Sequence, residues 1–141
     1  MSKNINIVLQ NTNSTLAGFE NVLIDQISSV YSFSCDIINC SFASFFDHSK
    51  FWIIIDILID KLKPGGQLII NLYDSQRIAA LYANNQIKNS DYLALIKNIN
   101  NCISLSDIID FISNKKDISL IDTKKDQLIT NISIIKNLNN G

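Results

Sequence analysis

A chain of 141 residues with a formal charge of −1 and a sequence pI near 5.6 is long enough for one hydrophobic core and carries no excess of positive charge. Adhesion to phosphate backbones or acidic membranes needs a clustered basic surface, so neither nucleic acid nor membrane is expected as a partner. Apolar residues make up 47% and charged residues 18%, the balance of a globular domain, and the longest apolar stretch, Phe51 to Ile59, is interrupted by Asp56 and falls far short of the roughly 20 residues of a spanning helix.

In chain order, Ile5 to Leu9 predicts a first strand and Gln10 to Ser14 a polar break. Ser14 or Thr15 can cap a helix over Leu16 to Ser28, on which Leu16, Phe19, Leu23 and Ile27 recur near helical spacing. Cys35 to Cys40 is the second clear strand, and Ser41 to Phe46 a loop. Asp47 then caps a helix over His48 to Lys63, striped by Phe51, Ile54, Ile55, Leu58 and Leu62.

That helix stops at strong punctuation. Lys61 and Lys63 complement the negative end of its dipole, Pro64 cannot continue it, and Gly65 and Gly66 supply the positive φ of a tight reversal. Gln67 to Tyr73 follows as a buried strand, so helix and strand read as half of a βαβ unit. Three further helices are expected, over Ser75 to Ala83, Asp91 to Asn98, and from a Ser104 or Ser106 cap to Asn114. The strands Ile118 to Ile121 and Leu128 to Ile135, joined by Thr123 to Asp126, read as a β-hairpin. Residues 1–136 are expected to form a single domain and Asn137 to Gly141 a frayed tail. The fold class expected is α/β, a mostly parallel sheet with helices on both faces and a C-terminal antiparallel hairpin.

Few residues suggest chemistry. Cys35, Cys40 and Cys102 form no CxxC pair and read as buried thiols in a reducing compartment, and the opening residues lack the basic-then-apolar order of a secretion signal. His48 has no second histidine to complete a metal site, and Cys35 and Cys40, five apart on a strand, would point to opposite faces, so no metal and no catalytic group are expected. Asp36 can accept hydrogen bonds from neighbouring loops or satisfy backbone N–H groups. Asp74 lies just past the central strand, where open α/β sheets bind ligands, or else caps a helix with Ser75. Phe42, Phe45, Phe46 and Trp52 form an exposed aromatic patch for a partner or fold onto the sheet edge.

Cys35 to Asn71, with its strand C-D-I-I, loop, helix, L-K-P-G-G and strand Q-L-I-I-N, resembles the central half of class I S-adenosylmethionine-dependent methyltransferases. The resemblance implies a Rossmann-like sheet ending in an antiparallel hairpin. In that family the first strand ends in an acid and passes into a G-x-G loop, and the second strand's terminal acid holds the ribose hydroxyls. Here the first strand ends near Gln10 and no glycine precedes Gly18, so S-adenosylmethionine is not expected to bind by the usual route and no cofactor is expected; were it bound, Asn11, Asn13, Asp36 and Asp74 would line the pocket.

A missing glycine loop beside a retained P-G-G turn is similar to the N-terminal methyltransferase-like domains of the anamorsin family of iron-sulfur assembly factors. Tyr31 to Ile38 and Leu62 to Gly66 carry that similarity. It implies a catalytically silent cytoplasmic domain that docks a protein partner, a diflavin reductase. The cysteine-rich region that holds clusters in that family has no counterpart in these residues, so no cluster ligand is transferred. The other readings are a small active methyltransferase with an irregular cofactor loop and an interaction domain with no redox role.

Overall fold

The computed structural model describes residues 2–10, 12, 15–41, 43–99, 101–126 and 128–138, with Phe45 and Asn98 as backbone only. Its strands are β1 (Asn4–Val8), β2 (Glu20–Leu23), β3 (Cys35–Cys40), β4 (Leu62–Tyr73), β5 (Ile118–Asp126) and β6 (Ile129–Lys136), and its helices α1 (Phe51–Lys61), α2 (Ser75–Ala83), α3 (Asn89–Asn98) and α4 (Leu105–Ser113). The strands form one sheet in the order β2-β1-β3-β4-β6-β5. β1 runs parallel to β2 and β3, and β3 parallel to β4, while β6 runs antiparallel to both β4 and β5. This is the expected α/β class with its antiparallel C-terminal hairpin. No described helix is long and apolar enough to cross a membrane.

The helix expected over Leu16 to Ser28 does not form. The Phe19 amide turns back to the Leu16 carbonyl at 2.9 Å and Gly18 takes φ 82°, after which Glu20 to Leu23 pairs with β1 and Ile24–Ser29 becomes a 3-10 helix that buries Ile27. Sheet pairing, a non-local gain, overrides helical spacing in so short a segment.

The Pro-Gly-Gly turn also differs from expectation, for β4 begins at Leu62, directly after α1. Cys35 of β3 stands opposite Leu62 but Ile37 opposite Gln67, so Lys63 to Gly66 bulges out within the strand. Gly65 sits at φ 84°, and a Cβ on Gly66 would lie 2.9 Å from the carbonyl oxygens of Cys35 and Lys63. The end of α1 is satisfied by its neighbours: the Phe33 and Ser34 amides donate to the Asp60 and Lys61 carbonyls, and buried Lys136 donates through Nζ to those of Ile59 and Leu62. The charged run Thr123 to Asp126 belongs to β5, so the reversal falls between Asp126 and Ile129.

The core occupies one face of the sheet. Ile5 and Ile7 of β1, Ile38 and Cys40 of β3, Leu68, Ile70 and Leu72 of β4, and Ile132 and Ile134 of β6 meet Phe51, Ile55 and Leu58 of α1 and Ile108 and Ile112 of α4. Handedness explains why both helices share that face. The steps from β3 to β4 and from β4 to β5 move the same way across the sheet, so right-handed crossovers place α1 and α4 together, and Trp52 of α1 stacks on Phe111 of α4 at 4.8 Å. The step from β1 to β2 moves the other way, which sends the described linker residues 9, 10, 12 and 15–19 to the opposite face, and none of them is helical. Helical cover is therefore uneven. On the second face Asn6, Ile37, Gln67, Ile69, Asn71, Ser133 and Ile135 are half-buried, and none belongs to the core.

Candidate functional site

A cleft of about 560 Å³ opens at the carboxyl ends of β1 and β3, where open parallel sheets bind ligands. Its walls are the carboxamides of Asn6, Gln10 and Asn39, the hydroxyls of Thr12, Thr15 and Ser41, and the apolar groups of Val8, Leu9 and Leu16. No ionisable side chain stands among them. Such a surface can exchange hydrogen bonds with an uncharged ligand, but it offers no counter-charge to an ammonium or a carboxylate.

The floor of the cleft continues into a ladder of amides across four strands. Asn71 of β4 donates to Asn39 Oδ1 of β3 at 3.4 Å, Asn39 Nδ2 to Asn6 Oδ1 of β1 at 2.8 Å, and Asn6 Nδ2 to Asn21 Oδ1 of β2 at 3.1 Å. Ser41 Oγ accepts from both Asn39 and Asn71, and Asn131 of β6 stands opposite Asn71. Each amide faces the side away from the core, so the ladder pairs polar groups where a helix would otherwise supply apolar cover. Its sequence signal is a single asparagine set inside an apolar strand, as in I-N-I at 5–7, I-N-C at 38–40 and I-N-L at 70–72. Alternation places each on the polar face.

Of the sequence-predicted pocket residues the structure describes Asp36 and Asp74, and it does not bring these two together. Asn11, Asn13 and Phe42 lie outside the described residues, as does the side chain of Phe45. Asp36 lies at the amino end of β3, away from the cleft, where Oδ2 accepts from the Lys3 amide at 2.7 Å and from Lys63 Nζ at 3.1 Å. Those two partners, the amide first, hold its carboxyl below the usual carboxylate range. Asp74, 4% exposed, caps two helices at once: Oδ1 accepts from the Gln76 and Arg77 amides of α2 and Oδ2 from the Leu105 amide of α4. Its lone pairs are thereby committed to the scaffold.

Of the four aromatics expected as an exposed patch or folded onto the sheet edge, the rings of Phe46 and Trp52 are described. Phe46 is 3% exposed within the core, and half-buried Trp52 lies between Phe51 and Phe111, so neither ring is free for a partner. Burial of apolar area wins over exposure because the Ala43–Phe45 turn is tied down: buried Asn101 donates to the Ala43 and Phe46 carbonyls at 2.9 Å each. The two most exposed aromatics among the described residues are instead Tyr31, at 80%, and Phe33, at 55%, in the loop before β3. Phe33 takes φ 58° and lies under Lys136 Nζ at 4.1 Å. Of the cysteines, Cys35 and Cys40 are buried as expected, whereas Cys102 is exposed.

One residue escaped the sequence reading because β2 did. With Glu20–Leu23 as the second strand, the acid that follows it is Asp25, exposed in the first turn of the 3-10 helix.

Searches with protein-family models and among curated proteins find no match to this chain. Among solved structures it is similar to a putative type 11 methyltransferase from Sulfolobus solfataricus, at 14% identity and TM-score 0.55 over 86% of this chain and 61% of that one. It is similar also to an O-methyltransferase family protein from Burkholderia thailandensis, at 16% identity and TM-score 0.60 over 86% of this chain and 36% of that one. A third is the plantazolicin methyltransferase BpumL in complex with a monoazolic desmethylPZN analog and SAH, at 11% identity and TM-score 0.63 over 95% of this chain and 66% of that one. The chain thus spans 61% and 36% of the first two proteins' lengths. The fold is a Rossmann-like α/β sheet. More narrowly, it is methyltransferase-like.

Proposed function

We propose that the chain is a catalytically silent methyltransferase-like domain that works by binding a protein partner. The observation that carries this is the neutral cleft: residues 9–19 hold no acid and no glycine before Gly18, and the described lining offers only amides, hydroxyls and apolar groups. S-adenosylmethionine, which carries an ammonium, a carboxylate and a sulfonium, would find no counter-charge for any of them there. Calorimetric titration with S-adenosylmethionine tests this. No heat of binding is expected, and micromolar affinity would overturn it.

The finer reading is a cytoplasmic iron-sulfur assembly domain that docks a diflavin reductase. It rests on the likeness of Tyr31 to Ile38 and Leu62 to Gly66 to the anamorsin domains, and the exposed rings of Tyr31 and Phe33 at the head of the first stretch support it. A pull-down with a diflavin reductase is expected to retain the folded domain and to weaken with Tyr31→Ala; a clean negative sinks the reductase. A second reading, cofactor binding by an irregular loop, is favoured by Asp25, the acid that follows the second strand as the methyltransferase pattern requires. In that case Asp25→Asn would abolish the calorimetric signal.

A further inference from the structure

We propose that the β5 edge of the sheet pairs antiparallel with β5 of a second copy of the chain, centred on Thr123. β5 ends the sheet, and the residues from Leu120 to Asp126 are exposed apart from half-buried Thr123. The outer backbone groups of an edge strand are unpaired and form a template for another strand. Here the edge also exposes two large apolar residues, Leu120 at 39% and Ile121 at 48%.

Charge selects both the occupant and the register. β5 bulges between Leu120 and Asp122, so its regular register begins at Asp122: the pairing with β6 sets Asp122, Lys124 and Asp126 opposite Ser133, Asn131 and Ile129 on the amide face, and Thr123 and Lys125 opposite Ile132 and Thr130 on the core face. Directly opposed residues of antiparallel strands share a face, so a two-fold axis joining like faces must pass through a residue rather than between two. Centred on Asp122, that residue would face its own copy. Centring on Lys124 would oppose lysine to lysine and Asp122 to Asp126, and centring on Lys125 would again oppose lysine to lysine. Centred on Thr123, Asp122 faces Lys124 of the second copy twice over, with no like pair. None of Asp122, Lys124, Lys125 and Asp126 makes an ion pair with a described residue, so all four are available. Charges that blunt an edge against random pairing here favour a single partner, the same strand reversed.

The test is sedimentation equilibrium from the micromolar to the near-millimolar range. A concentration-dependent dimer is expected, and D122K or K124D alone should each raise its Kd by on the order of tenfold, because each sets like charges opposite one another. Both substitutions are at exposed positions, and circular dichroism checks that each variant is folded. Mixing D122K with K124D restores opposite charges across the strands, so a heterodimer of at least wild-type affinity should form. A monomer at every concentration overturns the proposal. So does a dimer indifferent to both reversals, or weakened by them without rescue on mixing.

Discussion

The two faces of the sheet are built from the same strands by opposite rules. Ile38, Leu68 and Ile134 stand side by side on one face and are fully buried under α1 and α4; one residue further along, Asn39, Ile69 and Ser133 stand side by side on the other. The first face stabilises the fold by removing apolar surface from water, the second by satisfying polar groups across strands. A parallel sheet normally needs helices on both sides because its strands are apolar on both sides. This one keeps its second face only partly covered by placing carboxamides there. The difference accounts for the absence of helix among the described residues of the linker from β1 to β2: the surface above which they pass does not depend on apolar cover.

The largest test of that comparison is a pair of truncations one residue apart. Leu68→Ala, which empties a fully buried site between Ile38 and Ile134, should cost about 2–5 kcal/mol in denaturant unfolding. Ile69→Ala on the amide face should cost only about 1 kcal/mol, in line with half burial. Equal losses would mean that the second face is covered as fully as the first.

The ladder itself supplies a smaller effect with a distinctive sign. Asn39→Ala removes the donor to Asn6 and the acceptor of Asn71 at a site only 8% exposed, for an expected loss of about 1–2 kcal/mol. Replacing Asn6 and Asn39 together by valine should cost less than the two single changes summed, because no half of a pair is then stranded. A double variant that loses the full sum would show that the amides act singly, not as a ladder.

Much of this architecture was legible in the chain, and the illegible part has a common cause. Cys35 to Cys40 matches β3 residue for residue, Gln67 to Tyr73 lies within β4, and the hairpin is real, because continuous apolar runs between breakers mark strands locally. β2 was not legible, since Leu16, Phe19, Leu23 and Ile27 keep helical spacing and only pairing with β1 makes Glu20 to Leu23 a strand. Asp25 went unnoticed with it. Phe46 and Trp52 looked exposable because the contacts that bury them, Asn101 and Phe111, lie more than fifty residues away. In the ladder the asparagines could be seen as odd polar residues in apolar strands, but the sheet order that aligns them could not.

The smallest expected effect lies where the two faces give way to the bulge at Lys63 to Gly66. The Asp36 carboxyl is held below its ordinary range by the Lys3 amide and by Lys63, and its side chain is 36% exposed, so solvent screens the pair. A carboxyl depressed in the folded state binds its proton more readily in the unfolded chain. Its contribution to stability is therefore present above the ordinary aspartate range, near pH 4, and is lost as pH falls through the lower, folded value. Asp36→Asn should then lower the denaturant midpoint slightly at neutral pH, with the gap to wild type closing on acidification. A gap that widens toward acid would reverse the sign and place the proton preferentially on the folded chain, a result incompatible with Asp36 serving as acceptor to Lys3 and Lys63.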